Sequence, residues 1–267
     1  MSTAPRPTKA DRRDEARAAA LALREEQERA ARRQRTVVIA SAVAGIAILG
    51  ILVAFVLGQA NASALGDVAA PAGSTASGAI PVGPDGVAGS TDGAKADAVV
   101  VSVYSDFMCP LCGFFEEVNG PTLDRLREAG DVVVEYHPVS ILDRTSQGSQ
   151  YSTRAVNAAA VVADQAPEAF LPFLKALFAE QPEEGTTGLG DDEIARRAVE
   201  AGVPQAVADT FVQGEFTDWA GAATEQASKD LGRLGTPTVL LDGEKLGDDV
   251  DWRVEGALED AIAAAQG

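Results

Sequence analysis

Sulfur and imidazole are scarce in this chain. Its 267 residues include two cysteines and a single histidine, His137. A structural zinc site needs four ligands, which two thiols and one imidazole cannot supply, so neither a metal nor another cofactor is expected. Both cysteines fall inside Cys109-Pro110-Leu111-Cys112, which leaves no sulfur for a disulfide joining distant segments. A bridge within so short a loop gains only about 2 kcal/mol by the loop-entropy relation and is prone to strain. With both structural uses disfavoured, the pair reads as a centre of thiol–disulfide exchange.

Positive charge is the second scarcity. The chain holds 22 Lys and Arg against 40 Asp and Glu, a net charge of −18. The imbalance is uneven: residues 1–35 carry ten basic and six acidic side chains, and everything after them sums to −22. A domain that acidic lacks the phosphate-neutralising surface of a nucleic-acid binder. Glu25–Arg29 and Glu28–Arg32 stand at helical i,i+4 spacing in the basic tail, which reads as a solvated helix or an irregular stretch.

No charge at all interrupts Val37 to Leu57, a run of 21 residues. As a helix it would span about 30 Å, the thickness of a bilayer's hydrocarbon core. Arg32, Arg33 and Arg35 precede it, so the positive-inside rule places the tail in the cytoplasm and the bulk of the chain outside. A cleaved signal peptide is the rival, since Ala60-Asn61-Ala62 and Ala62-Ser63-Ala64 resemble cleavage sites. The apolar run is longer than the roughly 7–15 residues usual for such a peptide, which favours an uncleaved signal-anchor at 36–58. Residues 59–95 are rich in Ala, Gly, Ser, Pro and Asp without apolar periodicity, and read as a flexible tether whose end from Ile80 pairs at most loosely with the domain.

Order is expected from about residue 96 to 267. Ala98 to Tyr104 reads as a strand buried on both faces. An amphipathic helix follows the CPLC motif, with a kink or restart expected at Pro121. Val132 to Tyr136 is a second apolar strand, so a parallel βαβ unit with a right-handed crossover is implied. No strand-like run occurs from about 146 to 233, which reads as a helical insertion. There Asp191 is the expected cap of one helix, Thr217 starts another, and Trp219 is assigned to core packing. Pro237 to Leu241 resumes strand character, Asp242-Gly243 signals a hairpin, and Asp251 is expected to cap a last helix through Val254, Leu258 and Ile262. His137, before Pro138 at a strand end, is expected as a hydrogen-bonded surface imidazole.

The placement of the thiols suggests their roles. Cys109 falls at a helix N-cap with Pro110 at the first helical position, where a missing N–H costs nothing. Free N–H groups and the positive end of the helix dipole favour a thiolate there. Cys112, one turn deeper, suits a shielded resolving thiol.

Tyr104-Ser105-Asp106-Phe107-Met108-Cys109-Pro110-Leu111-Cys112-Gly113 together with Gly235-Thr236-Pro237-Thr238-Val239 resemble the two signatures of DsbA-type thiol–disulfide oxidoreductases, most closely the membrane-anchored actinobacterial kind. The resemblance covers about residues 96–267 and implies an α/β thioredoxin-like fold with a helical insertion. It implies Cys109 as nucleophile, Cys112 as resolving thiol, Pro110 and Leu111 as support, and Pro237 as a cis-proline that, with Thr236, faces substrate. It also implies a monomeric dithiol oxidase of secreted or membrane proteins, reoxidised by a membrane partner of the DsbB or vitamin K epoxide reductase-like type. A reductase, for example in cytochrome c maturation, and a peptide-binding module with an inert CxxC are the alternatives. Two departures stand out. Val103 occupies the position where many relatives carry a buried acid, and Leu111 stands where many carry a histidine, which argues for a milder oxidant. The insertion also lacks the second cysteine pair of some relatives.

Overall fold

The computed structural model describes residues 63–266 throughout, together with scattered positions between 17 and 50. Those scattered positions are helical and exposed. Residues 1–62 and 63–267 form two separate units. Most of the apolar run Val37–Leu57, and residues 59–62 of the expected tether, lie outside the described residues. Among the described residues no helix is long and apolar enough to cross a membrane.

Five strands form one sheet. They are β1 (Ile80–Val82), β2 (Val99–Ser105), β3 (Val132–Pro138), β4 (Thr238–Leu241) and β5 (Glu244–Lys245), in spatial order β1-β3-β2-β4-β5. β2 and β3 are parallel, with Val99 beside Val132 and Tyr104 beside His137, and helix α1 (Pro110–Glu128) connects them. β4 lies antiparallel to the other edge of β2, pairing Tyr104 with Thr238. Valine-rich strands flanked by helix on this βαβ plan are the expected fold of a buried parallel pair. Asp242 and Gly243 take φ of 49° and 82°, the two left-handed positions that a tight hairpin between β4 and β5 requires.

Between β3 and β4 the chain makes the helical insertion: α2 (Tyr151–Gln165), α3 (Phe170–Ala179), α4 (Asp191–Glu200), the single turn α5 (Gln205–Ala208) and α6 (Thr217–Leu231). Its core combines small Ala155, Ala158, Ala159 and Ala163 with Phe170, Phe173, Phe211, Phe216 and a fully buried Trp219. A last helix, α7 (Ala257–Ala265), packs Leu258 and Ile262 against the sheet with Phe115 and Leu123 of α1.

Several expectations need correction. The tether reading fails from Ser63 onward. Ala79, Ile80 and Val82 are fully buried, β1 adds a strand antiparallel to β3, and Arg127 donates to the carbonyls of Gly83 and Pro84 at 2.9 and 3.2 Å. A three-residue strand is too short to show apolar periodicity, which is why composition misleads there. Helix α1 runs unbroken for 19 residues through Pro121. Pro121 and Glu117 are both on the exposed side, where water can serve the carbonyl that proline leaves without a donor. His137 is buried instead of surface-lying, stacked on Tyr104 with ring centroids 4.0 Å apart, because the parallel register sets the two rings side by side. Gly190, not Asp191, caps α4, and Asp191 pairs with Arg154 at 2.6 Å. The final helix starts only after Gly256, whose φ of 85° breaks the run, so Asp251 caps nothing helical and Val254 is exposed.

Candidate active site

The site is assembled where β2 ends and α1 begins. Cys109 is the N-cap of α1, extended at φ −77° and ψ 116°, and Pro110 is its first helical residue. No acidic side chain sits in the first turn to oppose the dipole. Cys112 is one turn on, fully buried, while Leu111 (46% exposed) and Phe114 (39%) form an apolar rim around the pair. Both cysteines are free thiols.

Pairing of β4 with β2 brings the loop before β4 to the same point. The Thr236–Pro237 peptide is cis, and the Cys109 thiol donates to the Thr236 carbonyl at 3.4 Å. The four expected site residues from the two distant segments thus meet: Cys109, Cys112, Thr236 and Pro237.

Their environments split the two thiols. Cys109 is pulled down from its ordinary value to about 6, first by the hydrogen bond from the Cys112 thiol, then by the Thr236 side chain and by the N–H groups of Cys112 and Leu111, against the cost of burial. Cys112 is pushed well up, chiefly by burial and then by the neighbouring Cys109. One sulfur is therefore a thiolate near neutral pH and the other a protonated thiol. That division is what dithiol exchange requires.

Two residues without an assigned role in the sequence reading brace this turn. Asp106 is fully buried, and its carboxylate accepts from the N–H of Met108 (2.9 Å), the N–H of Leu142 (2.9 Å) and the Ser152 hydroxyl (2.7 Å). It ties the end of β2 to the insertion, and burial raises its carboxyl above the usual range. Gln181, just past α3, donates from Nε2 to the carbonyls of Phe107 and Cys109, both at 2.9 Å. An acid three residues before the N-cap cysteine, in an otherwise apolar stretch, is the signal the sequence carries for Asp106; for Gln181 it offers none. Val103 lies in the apolar core between the sheet and α1.

Grooves flank the thiols on both sides. One, of about 650 Å³, runs between α1 and α3 past Pro110, Phe114, Glu116, Lys175 and Gln181. Burial, and secondarily the charge of Asp124, push the Glu116 carboxyl up to about 7 there, with Lys175 opposing. The other, of about 340 Å³, is bounded by Pro237, Thr238 and Trp252. Among the described residues no cluster of His, Cys, Asp and Glu could hold a metal ion.

Residues 87–260 match the family model described as "Thioredoxin". The chain belongs to the thioredoxin family. The reduced form of the disulfide bond oxidoreductase DsbG from Mycobacterium tuberculosis superposes with a TM-score of 0.59 at 33% identity, over 71% of this chain and 88% of that one. Oxidised DsbA from the same organism gives 0.56 at 31%, over 71% and 93%. Within the family, the chain is a protein thiol–disulfide oxidoreductase of the DsbA type. MdbA from Actinomyces oris, a thiol-disulfide oxidoreductase, shares the fold with a TM-score of 0.59 at 21% identity, over 76% and 93%. Among curated proteins, the serine/threonine-protein kinase PknE of M. tuberculosis is 29% identical over 154 residues, 55% of this chain. The chain spans about a quarter of the length of the curated relatives it matches, 27%.

Proposed function

We propose that this DsbA-type oxidoreductase is an extracytoplasmic dithiol oxidase that passes a Cys109–Cys112 disulfide to secreted or membrane proteins. The observation that carries the reading is the split between a Cys109 held as thiolate and a Cys112 held as thiol. Stabilising the reduced form in this way makes the disulfide form an oxidant.

The exchange balances as follows. A substrate thiolate attacks Cys109 Sγ of the disulfide, the Cys109–Cys112 bond breaks, and Cys112 leaves and takes up a proton. A second substrate thiolate then attacks the substrate sulfur of the mixed disulfide and expels Cys109 as a thiolate. Two electrons pass from the substrate dithiol to the enzyme, one proton stays on Cys112 and one is released. The low-pKa Cys109 is the better leaving group in the second step, which favours release of oxidised product. The apolar rim of Leu111 and Phe114 suits unfolded or partly folded chains, and the acidic outer domain does not favour nucleic acid. Thr236 and Pro237 would line the substrate strand. A membrane reoxidant of the DsbB or vitamin K epoxide reductase-like type would restore the disulfide, with the domain held by the anchor at 36–58 and residues 1–35 in the cytoplasm.

The test is the reduction potential measured against glutathione. A value above the roughly −270 mV of thioredoxin and below the roughly −120 mV of DsbA supports the oxidase, Leu111 making it a mild one. A value at or below that of thioredoxin assigns a reductase with the same residues. Protease accessibility of the intact cell then reads the side of the membrane; digestion only after lysis would overturn the extracytoplasmic placement.

A further inference from the structure

Three donors converge on one oxygen at the start of α1. The Cys109 carbonyl accepts from the N–H of Cys112 at 2.9 Å, from the N–H of Gly113 at 3.3 Å and from Gln181 Nε2 at 2.9 Å. A carbonyl has two lone pairs, so three donors share them. The Cys112 N–H is also among the groups that hold the Cys109 thiol down, so carbonyl and sulfur draw on the same donor. Whatever loads the carbonyl from outside the helix leaves more of that N–H for the sulfur.

Gln181 is that outside load, and the insertion holds it in place. It follows Glu180, whose carbonyl accepts from Arg197 Nη1 at 2.8 Å, so the buried Arg197 of α4 pins the end of α3. One turn back, Phe178 packs on Phe107 with ring centroids 5.1 Å apart. On the other side of the glutamine, Gly113 leaves room for its head: a Cβ at 113 would stand 2.7 Å from Gln181 Oε1.

We propose that Gln181 is a positioning residue for the Cys109 thiolate, occupying the Cys109 carbonyl so that the Cys112 N–H is free to serve the sulfur, and that Gly113 is glycine to admit it. The helical insertion thereby tunes the redox centre without touching a reacting atom. Gly113 has a side-chain-free position that the helix itself does not demand, since alanine is the better helix former. The inference rests on the exchange chemistry of the pair and is independent of its direction in the cell.

The experiment uses the full chain and four variants. Gln181→Ala should raise the Cys109 pKa, read from thiolate absorbance during acid titration. It should also move the equilibrium with glutathione about tenfold toward oxidised enzyme, about 30 mV lower for a two-electron couple. Gly113→Ala should shift both readouts in the same direction by displacing the glutamine head, with helix propensity improved. The double variant should equal the larger single effect, because both act on one contact. Gln181→Glu should exceed Gln181→Ala at neutral pH, since the carboxylate also repels the thiolate, and recover toward the parent in acid, where a protonated carboxyl again donates. A purely structural glutamine would lower the stability of oxidised and reduced forms alike and leave potential and titration unmoved. Parent values within twofold in both Gln181→Ala and Gly113→Ala would overturn the proposal. Should Gln181→Ala fail to fold, Gly113→Ala decides alone.

Discussion

The sheet half and the helical insertion bury themselves with different side chains. Between the sheet, α1 and α7 the core is valine: Val99, Val101, Val103, Val132, Val134 and Val239, closed by Phe115, Leu258 and Ile262. In the insertion the contact layer is alanine with a few large rings. β-Branched side chains fit a pleated surface, whereas alanines let helices approach closely and leave gaps that phenylalanine and tryptophan fill. The redox pair sits at the seam. Cys109 and Cys112 start α1, an element of the sheet half, yet they pack with Phe107 and Met108 in the insertion's cluster. The thioredoxin scaffold places the thiols, and the insertion supplies much of their surroundings.

The largest effect that sharpens this division belongs to the thiols themselves. Cys109→Ala should abolish exchange and trap no partner, while Cys112→Ala should accumulate mixed disulfides on non-reducing gels, because the nucleophile survives without its resolving thiol. Equal trapping by both variants would mean the two roles are misassigned.

The next test sets core against core. Phe178→Ala should cost about 3–5 kcal/mol in denaturant unfolding and also lower the potential, since Phe178 supports Phe107 beside the pair. Ile262→Ala should cost about 2–5 kcal/mol and leave the potential where it was. If the sheet-side cavity moves the potential as much as the insertion-side one, the seam has no special standing.

Asp106→Asn comes third. One of its three accepted hydrogen bonds would face an amide instead of an oxygen, at a cost of about 1–3 kcal/mol by urea unfolding.

Acidification should then narrow the gap between the two redox forms. The Cys109 pKa is depressed in the folded state, so its thiolate stabilises the reduced protein fully above the ordinary thiol value near 9.0, and this contribution is lost as pH falls through about 6. Cys112, shifted upward, stays protonated across that window. Unfolding both forms across that range should show the reduced-minus-oxidised difference shrinking on the acid side; a flat difference would contradict the assigned thiolate. Smallest of all, Leu111→His should lower the Cys109 pKa further and raise the potential by no more than about tenfold in equilibrium constant, since position 111 is nearly half exposed and solvent screens the added charge.

Local pattern was enough for the parts that repeat a local rule. The valine strands, Pro110 after Cys109, and the Asp242-Gly243 hairpin are each written within a few neighbouring residues, and each was found where it was read. Pattern failed where a short segment is ordered by what lies across from it. Ile80-Pro81-Val82 has no periodicity to display and is a strand because β3 offers an open edge. His137 looks like a surface imidazole until the register with β2 lays it on Tyr104.

The sequence alone determined the chemistry, since two cysteines three apart at a strand–helix junction leave little other use for their sulfur, and the spacing forces them onto one helix turn beside its free N–H groups. What only the tertiary structure decided is how that chemistry is tuned. Thr236 reaches Cys109 across 127 positions and Gln181 reaches its carbonyl across 72, distances in sequence over which no local pattern carries information. Packing of β4 against β2 and of α3 beside α1 brings those groups within hydrogen-bond reach of Cys109, and at that range a single hydrogen bond is enough to move a thiol's pKa.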